Sequence, residues 1–155
     1  MKEYVLVVDD EQSMTQFLGI VLRKEGFQVT TVNSGRDAMD RIRMEPFDVV
    51  ISDIKMPQLD GIEFTRQFRL LPSGLDVPLI VVTSVEDRDV RYRALEAGAT
   101  DFLTKPVTDD ELLSAVRKAI QRCEALYRAR EEIAITRRRV ATLTPREREV
   151  LTHLL

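Results

Sequence analysis

The sequence predicts an α/β protein: a parallel, five-stranded sheet covered by helices on both faces, followed by a long helical extension. Three observations carry this reading. Short apolar runs rich in β-branched residues recur through residues 1–104. Segments of helical spacing alternate with them. After Val107 the alternation stops, and no Gly or Pro occurs as far as Thr144.

The strand-like runs are Tyr4–Val8, Phe27–Val32, Asp48–Ser52 and Pro78–Thr83, with a weaker fifth at Thr100–Thr104. Each is too short for a helix and is bounded by turn or charge signals, as buried parallel strands are. Between the first two, Met14, Phe17, Leu18, Val21 and Leu22 fall at helical spacing, and Gly26 supplies a C-terminal stop. Ser34 can N-cap a helix over Gly35–Met44, which ends before Pro46. Phe64, Phe68 and Leu71 mark a third helix; Val90, Ala94, Leu95 and Ala97 mark a fourth that stops at Gly98. Strands alternating with helices imply right-handed crossovers, hence a doubly wound parallel sheet. In such sheets ligands bind beyond the carboxyl ends of the strands, where the winding direction reverses.

Thr108 and Glu111 form a capping box at the start of the extension. A helix over 109–142 would be about 51 Å long at 1.5 Å per residue, too long for one crossover on a small domain. Its second half is therefore expected to project or break. Leu112, Ala119, Leu126, Ile133 and Val140 recur every seventh residue, but Arg122 and Thr136 interrupt the seam. Coiled-coil pairing and packing back on the same domain both account for such a stripe.

Composition narrows the function classes. A hydrophobic fraction of 44% with 32% charged residues is that of a soluble globular chain. No apolar run reaches the ~20 residues that span a bilayer, and the N-terminus lacks the apolar region of a signal peptide. Cys123 is the single cysteine, which excludes an internal disulfide. These features predict a cytoplasmic protein without a membrane partner. Residues 1–116 carry 13 Lys and Arg against 21 Asp and Glu, a net of −8; residues 117–155 carry 10 against 5, a net of +5. That asymmetry permits a nucleic-acid partner towards the C-terminus, although a solvated helical face accounts for the charge by itself.

The chemistry-bearing residues gather at the predicted strand ends. The first strand runs into Asp9-Asp10, the third into Asp53, and the fifth into Lys105-Pro106, while Thr83 closes the fourth. Clustered carboxylates repel one another unless a cation neutralises them. Hard oxygen ligands suit Mg²⁺, which is held by one or two carboxylates and keeps several waters. A carboxylate beside such an ion can act as a nucleophile towards phosphorus, with a lysine and a hydroxyl to stabilise the phosphoryl oxygens. Each element alone is ordinary loop chemistry. Their joint occurrence at four strand ends is not.

Four segments carry a specific resemblance: Val5-Leu-Val-Val-Asp-Asp-Glu11, Asp53-Ile-Lys-Met-Pro-Gln-Leu-Asp-Gly61, Val81-Val-Thr-Ser84 and Ala99-Thr-Asp-Phe-Leu-Thr-Lys-Pro106. Together they resemble the signature blocks of response-regulator receiver domains of two-component systems, over residues 1–122. The resemblance implies a flavodoxin-like (βα)5 fold of strand order 2-1-3-4-5. It implies that Asp53 accepts a phosphoryl group from a sensor histidine kinase, with Mg²⁺ held by Asp9, Asp10, Asp53 and the backbone carbonyl of Lys55. By the same resemblance Lys105 pairs with the phosphoryl group, and Thr83 and Phe102 occupy switch positions. Phe102 has no hydroxyl and could report only by burial. The Lys105–Pro106 bond is expected to be cis by resemblance, against a general frequency of about 5–6% for such bonds.

The tail has its own signature. Thr144 as N-cap, Pro145 at the first helical position and Glu147 three residues after the cap form a complete helix start. Val150, Leu151, Leu154 and Leu155 then form one apolar face. Leu143-Thr-Pro-Arg-Glu-Arg-Glu-Val-Leu151 resembles the opening helix of a LuxR/GerE-type helix-turn-helix domain, though a similar opening occurs in sigma-factor DNA-binding regions. A receiver over 1–122, a helical linker over 123–142 and a truncated first output helix over 143–155 follow as the expected organisation. The resemblance places DNA binding in residues beyond these, so the 155 residues alone are expected not to bind DNA sequence-selectively. Arg137-Arg138-Arg139 is read as a solvated face, and His153 is assigned no chemistry.

The chain is thus expected to be a phosphoacceptor and not an enzyme with turnover. A homodimer through the fourth-helix–fifth-strand face or the C-terminal helix is a further expected partner. One alternative is a stand-alone receiver acting by protein contact through its long helix. Another is a metal-dependent phosphatase or phosphotransferase with an aspartyl nucleophile. That chemistry needs an acid/base Asp two residues after the nucleophile, where this chain has Lys55.

Overall fold

A computed structural model describes residues 2–154. Five strands, β1 (Tyr4–Val8), β2 (Gln28–Val32), β3 (Val49–Ser52), β4 (Leu79–Thr83) and β5 (Asp101–Thr104), form one sheet in the order β2-β1-β3-β4-β5. All pairings are parallel. This is the flavodoxin-like order, with the winding reversed between β1 and β3. Observed strands start at or one residue after the predicted ones. At the fourth, Pro78 has no N–H to give the ladder and contributes only its carbonyl, which accepts from Val50 N at 2.9 Å.

The helices are α1 (Gln12–Lys24), α2 (Gly35–Met44), α3 (Gly61–Leu70), α4 (Arg88–Ala97), α5 (Asp109–Ala141) and α6 (Pro145–Leu154). Alternate residues of the central strands face opposite layers. Val5, Val7, Val49, Ile51, Ile80 and Val82 pack with Leu18, Val21 and Leu22 of α1 and with Leu112, Val116 and Ala119 of α5. Leu6, Val8, Val50, Leu79 and Val81 pack with α2, α3 and α4 through Met39, Ile42, Phe64, Phe68 and Ala94. Both faces are covered, so the central strands read as continuous apolar runs. Burying each such side chain contributes about 1.5–3 kcal/mol.

Local signals fix the helix ends. Ser34 Oγ accepts from Asp37 N at 3.1 Å, and Asp60 Oδ1 accepts from Glu63 N at 2.9 Å. Both capping boxes form: Thr108 with Glu111, and Thr144 with Glu147. Gly98 stops α4 in a left-handed conformation, φ 113°. Phe17 and Leu95 lie within α1 and α4 as their spacing predicts, but at 40% and 42% exposure they stand away from the core. One expectation is corrected. Leu71 is the extended C-cap of α3 and not part of the helix.

The chain divides into two compact units after Gln121. α5 runs without a break from Asp109 to Ala141, and its buried residues end at Ala119. Further along the seven-residue stripe, Leu126 is 52% and Ile133 53% exposed. In the second unit α6 has no buried residue, and Arg148 donates to the carbonyls of Val140 and Ala141 at the end of α5.

Candidate functional site

The reversal of winding places two strand ends side by side. Val8 of β1 is in register with Ser52 of β3, so the next residues, Asp9 and Asp53, emerge together at the carboxyl edge. Asp53 N donates to Val8 O at 3.0 Å, and Asp9 N donates to Val32 O at 3.2 Å. Asp9 is 2% and Asp53 7% exposed, whereas Asp10 faces solvent. Carboxylate oxygens of Asp9, Asp10 and Asp53 lie within 4.8 Å of one another.

Each buried carboxylate is held at both oxygens. Asp9 Oδ1 accepts from Glu11 N at 3.0 Å and Asp53 Oδ1 from Ile54 N at 2.7 Å. Lys105 Nζ donates to the remaining oxygens, at 2.8 Å to Asp9 Oδ2 and 3.2 Å to Asp53 Oδ2. The lysine arrives from the loop after β5, where the Lys105–Pro106 peptide is cis and Lys105 N donates to Thr83 O at 2.8 Å. Two supports lay outside the predicted set. Asn33, after β2, donates to the Asp9 carbonyl at 2.9 Å, and Ser52 Oγ donates to the Asp53 carbonyl at 2.8 Å. Asn33 could have been found as a polar residue at a strand end; nothing in the pattern distinguished Ser52.

The side chains of the remaining predicted residues make other contacts. Thr83 is buried at the end of β4, and its hydroxyl oxygen accepts from Val85 N at 3.4 Å rather than bonding a carboxylate. Phe102 is buried, with the Arg91 guanidinium 5.6 Å from its ring centre. The Lys55 side chain is exposed.

Electrostatics at the cluster are unbalanced. Burial pushes Asp9 above the usual carboxylate range, Asp53 adds to this, and hydrogen bonds from Lys105 and Glu11 oppose it. Burial pushes Lys105 down, but Asp9 and Asp53 outweigh it and hold the ammonium above its ordinary value. The two directions disagree on whether the pairing is favourable. They reconcile because burial opposes the charged form of both partners: at Asp9 it outweighs the bonds from Lys105 and Glu11, whereas at Lys105 two acids together outweigh it. Three carboxylates against one ammonium leave two negative charges uncompensated when all are ionised. A small dication with oxygen ligands fits that deficit.

A pH prediction follows from the lysine. A raised folded-state value means that its contribution to stability is complete below the ordinary 10.5 and fades as pH rises through the raised value. In chelator, wild type should therefore be more stable than Lys105→Met at neutral pH, and the gap should close above pH 10.5. Denaturant titrations across that range check it, and a constant gap would contradict it.

A doubly wound sheet with three aspartates and a lysine at its carboxyl edge defines the class of the domain, and comparison with known families gives the same answer. The response regulator receiver domain family matches residues 5–117. The chain belongs to that family, and its first unit is the receiver domain of a two-component response regulator. The transcriptional regulatory protein FixJ of Bradyrhizobium diazoefficiens is 33% identical over 154 residues, covering 99% of this chain and 74% of that protein. The response regulator MprA of Mycolicibacterium vanbaalenii is 37% identical over 132 residues, covering 85% of the chain and 56% of that protein. The chain thus spans about three quarters of one relative and little more than half of the other. Among solved structures, chemotaxis protein CheY4 of Vibrio cholerae is similar with a TM-score of 0.74 and 30% identity, over 77% of this chain and 99% of that one. The receiver domain of sensor histidine kinase PA1611 from Pseudomonas aeruginosa, which has magnesium coordinated in its active-site cleft, is similar with a TM-score of 0.73 and 30% identity, over 78% and 99%.

Proposed function

We propose that Asp53 accepts a phosphoryl group from a sensor histidine kinase, and that this modification controls a DNA-binding output. The observation that carries the reading is the Lys105 ammonium shared between Asp9 and Asp53, beside an acidic triad with room for one dication. Asp9, Asp10, Asp53 and the Lys55 carbonyl would hold Mg²⁺, which when bound neutralises charge on the phosphoryl oxygens. Asp53 Oδ2 attacks phosphorus as the bond to the donor nitrogen or acyl oxygen breaks, and the leaving group keeps the electron pair. Lys105 then exchanges a carboxylate oxygen for a phosphoryl oxygen, and the Thr83 hydroxyl, now next to Val85 N, turns to donate to another. The chain is its own acceptor, so it is not an enzyme with turnover on a free substrate.

Output through DNA rests on different support. FixJ is a transcriptional regulatory protein, and the likeness to it runs over 99% of the chain, which takes in the capped tail helix. On this reading residues 1–122 are the receiver, 123–142 a helical linker and 143–155 the first helix of a LuxR/GerE-type domain, in a cytoplasmic regulator. No helix among the described residues is long and apolar enough to cross a membrane.

The test is intact mass after incubation with Mg²⁺ and a small acyl-phosphate donor. Wild type should gain one phosphoryl group and Asp53→Asn none; a gain in both would remove Asp53 from the role. Lys55 bears on how long the group stays. Its exposed chain, two residues after Asp53, can cover the acyl phosphate and obstruct water. Lys55→Asn should shorten the phosphoryl lifetime several-fold, and an unchanged lifetime would count against that cover.

A further inference from the structure

The two ends of α4 are held very differently. Its C-terminal end is fastened by one residue of another helix, Arg69, in the last turn of α3. Arg69 Nε and Nη2 donate to the Gly98 carbonyl at 3.0 and 2.8 Å. Nη1 donates to the Gly74 carbonyl at 2.6 Å and also to the Val77 carbonyl. Nη2 lies 3.4 Å from Thr100 Oγ1, and the guanidinium sits 5.4 Å from the Phe68 ring centre. One planar fork therefore ties α3, the turn before β4 and the end of α4 together, a geometry that a lysine cannot reproduce.

The anchorage is reinforced by its surroundings. Gly98 is left-handed, and a Cβ there would lie 2.8 Å from Arg69 Cγ. Thr100 is bonded twice to Leu79, through Thr100 N to Leu79 O at 2.7 Å and Leu79 N to Thr100 Oγ1 at 3.0 Å. Ala94 and Ala97, the buried residues of α4, both lie in its second half.

The N-terminal end is held more lightly, by the Asp87 cap on Asp89 N at 2.9 Å and by the Arg91 guanidinium over the Phe102 ring. Arg88, Asp89, Arg91 and Tyr92 are exposed, and Val90 is half-buried. Arg88, Arg91, Tyr92 and Leu95 line an open depression of about 340 Å³. This lightly held end follows Thr83 after only Ser84–Asp87, so it is the end next to the carboxylate site.

We propose that Arg69 is the fixed pivot of α4, a positioning residue that confines any displacement driven from the Asp53 site to the N-terminal half of the helix. The inference rests on the reading of Asp53 as phosphoacceptor. It assigns a role to a cation that takes no part in the site's chemistry. A two-state element with one end clamped turns a small change near Thr83 into a swing of the exposed face of α4 rather than a shift of the whole helix.

Amide hydrogen exchange on the full chain tests it, with and without Mg²⁺ and an acyl-phosphate donor, with intact mass taken on the same samples. In wild type, phosphorylation should alter exchange at residues 84–92 and leave 97–100 as protected as before. Without donor, Arg69→Gln should raise exchange at 97–100 about tenfold or more, since several charge-assisted bonds are lost at once. Arg69→Lys should recover only part of that protection. On phosphorylation of Arg69→Gln the change should spread to 97–100. A phosphorylated wild type whose changes extend equally into 97–100 overturns the pivot alone, and does so even if Arg69→Gln fails to fold. Unchanged exchange at 97–100 in unmodified Arg69→Gln also overturns it. A wild type that gains no phosphoryl group by mass sinks the reading of Asp53 and the pivot with it.

Discussion

Gly61→Ala is expected to slow phosphorylation by about 10²-fold, the loss typical of an ångström-scale misplacement near a reacting group. The cause is contact rather than conformation. A Cβ on Gly61 would lie 1.9 Å from the Asp53 carbonyl oxygen and 2.8 Å from both Asp53 C and Ile54 Cα. Gly61 N also donates to Ile54 O at 2.8 Å, so the first turn of α3 rests directly on the peptide of the candidate phosphoacceptor. Alanine is the better helix former by about 1 kcal/mol. Overpacking against backbone costs about 1–3 kcal/mol, and no flexible side chain is present to give way, so the steric effect wins. Phosphorylation rates by intact mass, alongside denaturant titration, measure both effects. A wild-type rate in Gly61→Ala would show that α3 can lift away without moving Asp53.

Lys105→Met should separate two properties that usually fall together. Phosphorylation should drop by about 10²–10³-fold, the scale of losing one preorganised charge stabiliser. Mg²⁺ binding should become tighter, because the uncompensated charge rises from two to three when all groups are ionised. Leaving a buried charge without its partner costs about 3–5 kcal/mol in the limit. Here the penalty should be smaller, because Asp9 and Asp53 each keep a backbone donor, from Glu11 N and Ile54 N. Calorimetric titration with Mg²⁺ and a parallel phosphorylation time course decide the matter. Weaker Mg²⁺ binding would mean that the lysine orients the carboxylates more than it competes with the ion.

Much of the fold was legible in the sequence because it follows from periodicity and caps. The strands of Val5–Val8 and Leu79–Val82 are apolar on both faces, and Ser34, Thr108 and Thr144 announce helix starts that form as read. The order of the strands was not legible from periodicity, which states how far a residue lies from solvent but not which strand lies beside it; that came from the signature segments. Phe17 and Leu95 show the same limit. Helical spacing marks an apolar stripe about 100° wide but does not say how deeply each of its residues sits, and these two stay partly exposed. At the site, the aspartates and Lys105 were visible because they end strands. Arg69 was not, because its partners are carbonyls of Gly74, Val77 and Gly98, and backbone acceptors leave no trace in side-chain identity.

Lys105 joins Asp9 across 96 residues of chain, reaching from the edge strand past β4 and β3 to the end of β1. Contacts of such separation carry a large loop-closure cost and slow folding. Asp9 and Asp10 follow β1 and Asp53 follows β3, whereas their counter-charge follows β5. The charge balance of two carboxylates on inner strands therefore depends on the docking of the edge strand.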